Sequence, residues 1–325
     1  MDGITLTRHT VGGGAVVAEI MLDRPPVNAL STALAQALAT TCAEIAAEPS
    51  VRAVVLSGAP GRAFCAGADL KERAGMTDAD IAAQRPVIRA VFGAVLALPQ
   101  PAIAAVHGFA LGGGCELALS CDLIVADETA VFGLPEVTVG LVPGGGGTQL
   151  ALRRLGAGRA ADLVLTGRKI PVDEAERLGL ADRRVPDGQA TAAALELAEQ
   201  IAANSPVAVR AAKRALRNGW GIGLAAALDI EDAAWRTAAF SADRREGITA
   251  FAEKRPPTWP TPSRPRPPPS VPMAPTGPPL RPKCRIRACR WRHWHARGCP
   301  ARCAGRRGAR VWGGTRPGGA GGTGS

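Results

Sequence analysis

Residues 108–122, GFALGGGCELALSCD, set three consecutive glycines, Gly112, Gly113 and Gly114, at the entry to an apolar helical segment and place one acid, Glu116, inside its first turn. A helix N-terminus carries backbone N–H groups without intrahelical acceptors and a partial positive charge, so it stabilises anions. A surface Glu there would only compensate the dipole. The residues on either side are apolar, however, so this helix reads as buried, and a buried Glu without a task is costly. The stretch is bracketed by IAAVHG (103–108) and CDLIVAD (121–127), both of which read as buried strands. Strand, helix and strand in succession predict an α/β architecture.

Two further segments share this chemistry. Residues 63–71, AFCAGADLK, place a glycine between alanines after a strand, which allows a tight turn and bares backbone N–H groups. Residues 132–149, FGLPEVTVGLVPGGGGTQ, carry Glu136 directly after Pro135 and then four glycines, 144–147, as another amide-rich loop before a helix. Each has a plain reading: a strand-to-helix turn in the first case, a helix-opening Pro-Glu pair in the second.

Outward from these segments, ITLTRH and AVVAEIMLD read as strands joined at Gly12–Gly14, and Ser31 caps a helix reaching residue 47. Residues 52–58 form a short buried strand, and 78–98 a helix stopped by Pro99 and Pro101. Several connections are too short for regular doubly wound units. Beyond residue 187 the pattern is helical, over 189–203, 206–218, 224–240 and 243–253, and predicts a separate helical subdomain. The predicted organisation is a core over 1–188, helices over 189–259, and a tail over 260–325. The tail is Pro-, Arg- and Gly-rich, without any Asp or Glu. It is predicted to be disordered, and its abrupt onset resembles an out-of-frame reading of a GC-rich gene.

The net charge of +11 arises in that tail. Of 39 Lys and Arg, 14 follow residue 259; the other 25 face 28 Asp and Glu, so the body is slightly acidic. A basic nucleic-acid partner surface is therefore a property of the tail alone, and nucleic acid is not the expected partner. The N-terminus MDGITLTRHT has no signal-peptide pattern, and no run of 18 apolar residues exists, which predicts a cytoplasmic protein without a membrane span. Cys42, Cys65, Cys115 and Cys121 lie in apolar sequence and read as reduced core thiols. The tail's Cys284, Cys289, His293, His295, Cys299 and Cys303 do not follow common zinc spacings, so no metal site is predicted. The chain has no Tyr, which excludes phenol chemistry, and neither a G-x-G-x-x-G dinucleotide loop nor a G-x-x-x-x-G-K-[ST] loop is present.

Taken together, LDRPPVNAL, AFCAGADLK, GFALGGGCELALSCD, FGLPEVTVGLVPGGGGTQ and LTGRKIPVDEAERLGLAD resemble, in order and spacing, the crotonase superfamily of enoyl-CoA hydratases and isomerases, most closely its bacterial hydratases. The resemblance runs from about residue 3 to about residue 259. It implies a spiral of β-β-α turns with a C-terminal helical subdomain that makes the contacts of a homotrimer or homohexamer. It implies an acyl-CoA thioester as substrate, with coenzyme A part of that substrate and no metal, nicotinamide or flavin.

By position, the resemblance assigns Ala68 and Gly113 N–H to the thioester oxyanion, Glu116 to the attacking water, Glu136 to the α-carbon proton and Gly144 N–H to water positioning. Arg24, Ala66, Ala68, Asp69, Leu70 and Lys71 are its candidates for binding the CoA portion, Asp69 as a structural residue and Arg24 as the weaker of the two cations for a phosphate. Cys65 and Cys115 have no basic partner, and His107 reads as a hydrogen-bonded structural residue. Hydration of a 2-enoyl-CoA is the leading expectation. An isomerase of the same superfamily, which needs one acid, is the alternative, and RNA binding through the tail is a third reading.

Overall fold

The computed structural model describes residues 3–260. A hairpin opens the chain: β1 (Ile4–Val11) pairs antiparallel with β2 (Ala15–Leu22) across a turn at Gly12–Gly14. Ser31 accepts a hydrogen bond from Leu34 N and starts α1 (Thr32–Ala47), which buries Leu34, Ala35, Leu38, Cys42 and Ile45 as one face at helical spacing. β3 (Val51–Gly58) then returns parallel to β2. A short α2 (Leu70–Ala74) and α3 (Asp78–Ala97) follow, the latter opened by a capping box in which Thr77 and Asp80 satisfy each other's backbone N–H.

The middle of the chain winds between two sheets. β4 (Ala102–Val106) joins the large sheet, β5 (Phe109–Leu111) starts a small one, and α4 (Gly113–Ser120) closes the turn. β6 (Leu123–Asp127) returns to the large sheet and β7 (Val131–Gly133) to the small one. A 3-10 turn (Pro135–Val139), α5 (Gly147–Leu155) and α6 (Ala157–Thr166) follow. β8 (Lys169–Pro171) completes the small sheet, and after α7 (Val172–Leu178), β9 (Arg183–Val185) completes the large one. The large sheet has the order β1-β2-β3-β4-β6-β9, parallel apart from the opening hairpin; the small one has the order β5-β7-β8. This is the expected spiral of β-β-α turns.

Strand alternation divides the core into two. Val54 and Leu56 of β3 face the principal core with Phe64, Phe92 and Phe132, whereas Ala53 and Val55 face the other side, with Val17, Ile103, Ala105 and Val125. α8 (Ala190–Ala202) covers that second face with Ala190, Ala194, Leu197, Ala198 and Ala202. The boundary expected at 188/189 therefore cuts through a packed layer: the first of the C-terminal helices belongs to the core. Parallel strands need cover on both faces, which is the physical reason.

α9 (Pro206–Asn218), α10 (Leu224–Ala239) and α11 (Ala242–Ala252) follow. α9 is tied to the body by buried charge. Lys213 Nζ lies 2.7 Å from Asp122 Oδ2 and donates to Gln100 O, while Arg217 reaches Asp122 Oδ1 at 2.8 Å and donates to Ser120 O at the end of α4. Among the described residues no helix is long and apolar enough to cross a membrane. The expectations for the tail, 261–325, lie outside the described residues.

One contact holds the centre of the spiral together. A Cβ drawn on Gly114 would lie 1.8 Å from Cys65 O, so residues 63–65 and the first turn of α4 approach each other backbone to backbone. Gly114→Ala must separate them, and a loss of more than about 2 kcal/mol of stability is expected, read as a lowered midpoint in urea unfolding. An unchanged midpoint would show that the contact yields freely.

Candidate active site

Residues 63–65 lie alongside β5. Phe64 N donates to His107 O, Cys65 N to Phe109 O and Leu111 N to Cys65 O. The chain then turns at Gly67, with φ +95°, where a side chain would meet Leu111 O at 2.7 Å. Leu30 N donates to Gly67 O and Asp69 N donates to Leu30 O, and among the described residues the Ala68 N–H has no backbone acceptor. Gly113 is the first residue of α4, where an N–H has no intrahelical carbonyl. A Cβ on Gly113 would lie 3.7 Å from Ala68 N, which brings these two free amides into one place. Both residues line the same cleft.

Glu116 stands one turn further along α4 and is 3% exposed. Its Oε1 accepts from Gly145 N at 2.6 Å and Gly147 N at 2.7 Å, both from the four-glycine loop. Burial pushes this carboxyl up from its ordinary range, while the two amides and the Arg85 guanidinium oppose the shift. With one oxygen held by two amides, the other remains to act on a partner in the cleft.

Glu136 is delivered by the small sheet. β5 and β7 pair in parallel with Leu111 opposite Gly133, and Gly112 N donates to Gly133 O, which sets the Pro135–Val139 turn beside the start of α4. A Cβ on Gly112 would lie 3.1 Å from Glu136 Oε1. Glu136 Oε2 is buried without a hydrogen-bond partner among the described residues. Burial pushes this carboxyl up to about 7, and the nearby Glu116 charge adds to the rise. The two acids thus differ: one is anchored by amides, the other is solitary and titrates near neutrality.

Both acids, Ala66, Ala68, Leu70, Gly113 and Gly144 line one cleft of about 500 Å3. Among the described residues Gly144 N–H has no backbone acceptor, and its carbonyl accepts from Arg85. Three other candidates do not line this cleft. Asp69 caps α2 through Lys71 N and Glu72 N, and Arg24 is held by Asp69 at 2.6 Å and by Ala29 O. Lys71 is exposed on α2. Sequence reading missed which amides hold Glu116, although the run of glycines at 144–147 marked the loop; the particular donors depend on the turn at Gly146, φ +121°. It also missed Arg73, Gln84 and Arg85, which line the cleft without belonging to any motif.

The thiols of Cys65 and Cys115 are fully buried, and burial pushes both up, Cys65 to about 11; neither is a nucleophile near neutral pH. His107 corrects an expectation. It is half-buried outside the cleft, and although its carbonyl accepts from Phe64 N, its Nε2 has no hydrogen-bond partner among the described residues. Among the described residues no three metal-ligating side chains converge.

This constellation, a pair of free amides beside two unlike carboxyls on a β-β-α spiral, is that of a class of thioester enzymes, and comparison with known proteins agrees. A family model described as enoyl-CoA hydratase/isomerase matches residues 12–262. The Escherichia coli K12 protein named 2,3-dehydroadipyl-CoA hydratase is 43% identical over 242 residues, 74% of this chain and 93% of that protein. The human protein named enoyl-CoA hydratase domain-containing protein 2, mitochondrial, is 40% identical over 257 residues, 78% of this chain and 88% of that protein. The crystal structure of an enoyl-CoA hydratase from Bacillus anthracis matches with a TM-score of 0.75 at 44% identity, covering 79% of this chain and 98% of that one. The chain belongs to the enoyl-CoA hydratase/isomerase family of the crotonase superfamily.

The Glu136 environment has a measurable consequence for stability. A folded-state pKa of about 7, against about 4.3 in an unfolded chain, favours the protonated form on folding. That contribution is complete below pH 4.3 and is lost as pH rises through 7. Glu136→Gln removes it. Urea unfolding should show the variant gaining roughly 1–3 kcal/mol relative to the parent between pH 4.5 and pH 8; a difference independent of pH would contradict the environment described.

Proposed function

We propose that this chain is an enoyl-CoA hydratase, adding water reversibly to a 2-enoyl-CoA to give a 3-hydroxyacyl-CoA. The observation that carries the reading is the pair of carboxyls in one cleft. Moving a proton between carbons needs one acid, whereas hydration needs one group for water and one for the α-carbon. Relatives named as hydratases support it.

On this reading the thioester oxygen accepts from Ala68 and Gly113 N–H. Glu116 takes a proton from a water held by Gly144 N–H, and that water's oxygen bonds to the β-carbon. The π electrons move onto the α-carbon and thioester as an enolate, whose negative oxygen the two amides stabilise; such a donor is worth about 3 kcal/mol. Glu136, with a carboxyl near 7, gives its proton to the α-carbon. Glu116 ends protonated and Glu136 ionised, and exchange with solvent restores both. In dehydration the roles reverse. Ala66, Ala68 and Leu70 lie along the CoA side, and no metal or redox cofactor enters the scheme.

The same reading places the protein in the cytoplasm as a homotrimer or homohexamer. Support for assembly is the row of exposed apolar side chains on the last helices, among them Leu216, Leu224, Trp235 and Phe251, the last 87% exposed. Such a surface is what subunit contacts cover.

The test is hydration of crotonyl-CoA, followed by loss of enoyl-thioester absorbance. Activity is expected in the parent, and Glu116→Gln and Glu136→Gln should each lower kcat by about 100-fold or more without loss of folding. Conversion of a 3-enoyl-CoA with no hydration of any 2-enoyl-CoA would replace this reading by the isomerase.

A further inference from the structure

We propose that Arg85 is a positioning residue for the water step: it fixes and polarises the peptide unit between Gly144 and Gly145, and through that peptide it aims Glu116 at the attacking water. The inference rests on the hydratase reading, which gives Glu116 that role. The two ends of one peptide carry it. Arg85 Nη2 donates to Gly144 O at 2.7 Å, and the N–H of the same peptide, Gly145 N, donates to Glu116 Oε1 at 2.6 Å. A guanidinium on the carbonyl makes that N–H a stronger donor, because hydrogen bonds in a chain polarise one another. Arg85 is exposed on α3, where water screens its charge. The hydrogen bond and the peptide carry its effect past that screening to a buried carboxyl.

α3 seats the glycine loop at two consecutive residues. Arg85, Ile88 and Phe92 stand at i, i+3 and i+7, so they share one face of the helix. Ile88 and Phe92 are buried, and a Cβ drawn on Gly145 would lie 2.3 Å from the Phe92 ring. A Cβ on Gly144 would lie 2.9 Å from Arg85 Nη1. The apolar contact sets where the loop lies, and Arg85 sets which way its peptide is turned. With that peptide reversed, Glu116 Oε1 would face a carbonyl and keep only the Gly147 N donor. Arg85 is also the cation that opposes the upward push of burial on Glu116. The other charged groups nearby have other partners: Glu136, on the 3-10 turn, faces Glu116 as a second acid, Arg73 of α2 acts on Glu136, and Arg154 of α5 is paired with Asp182. The thiols of Cys65 and Cys115 stay protonated. Without Arg85, Glu116 is held less firmly and protonates more readily.

The experiment compares the full chain with its Arg85→Met and Arg85→Lys variants. It measures crotonyl-CoA hydration across pH, and exchange of the α-proton of a saturated acyl-CoA in D2O, which on the same reading uses Glu136 and no attacking water. Arg85→Met should lower the kcat of hydration about tenfold while KM changes by less than about twofold. The acid limb of its kcat profile should move to higher pH, because Glu116 must be ionised to take the proton from water. Exchange should stay close to the parent's rate. Arg85→Lys, which keeps a charged donor, should regain part of the lost kcat. Hydration by Arg85→Met at the parent's rate overturns the proposal. So does an acid limb that stays in place while hydration and exchange fall together, which marks a displaced loop. A raised KM with kcat unchanged also overturns it, since that marks a direct contact with substrate. Each of these leaves a parent that hydrates, and so leaves the hydratase reading standing; a parent that hydrates no 2-enoyl-CoA removes that reading and this inference with it.

Discussion

The site depends on the backbone of residues 65–68 lying directly against the first turn of α4. Cys65 O would collide with any side chain at position 114, and Leu111 O with any at position 67. Because both positions are glycine, two segments distant in sequence approach until Ala68 and Gly113 lie side by side on the lining of one cleft. No side chain supplies this pair of donors. It is a product of packing, so the sequence must protect it by keeping residues small rather than by presenting a particular functional group.

The same packing makes the two carboxyls unlike. Glu116 extends from a helix whose eight residues are all buried, and it tolerates that because the 145–147 loop brings two amides to one of its oxygens. Glu136 comes from a short 3-10 turn at the end of the small sheet and has a buried oxygen with no partner. Burial raises both carboxyls, Glu136 to about 7, while the loop amides oppose the rise at Glu116. Proton transfer near pH 7 requires this kind of difference between two acids. At the far end of α4, Arg217 donates to Ser120 O and to Asp122 Oδ1, which ties the end of that helix to α9.

Much of this was legible in the chain. Three glycine-rich segments, each with its own source of free amides, marked the cleft before any coordinates, and helices such as Pro206–Asn218 follow from their apolar spacing and caps. Three-residue strands such as β5, β7 and β8 were not legible, because a period of two cannot be counted over so short a run; they exist through pairing with segments far away. The role of α8 was misread as that of a separate subdomain, although a continuous apolar strand such as Val51–Gly58 already required cover on its second face. Arg85 lies on an amphipathic helix with no motif around it, and only the packing of α3 against the glycine loop brings it to Gly144.

The central claim is that an enolate forms under the two amides and exchanges its proton with Glu136 alone. Its most direct test is exchange of the α-proton of a saturated acyl-CoA in D2O, a reaction that needs no attacking water, followed by mass spectrometry or proton NMR. The account predicts that the parent and Glu116→Gln incorporate α-deuterium, while Glu136→Gln does not. Undiminished incorporation by Glu136→Gln would contradict it.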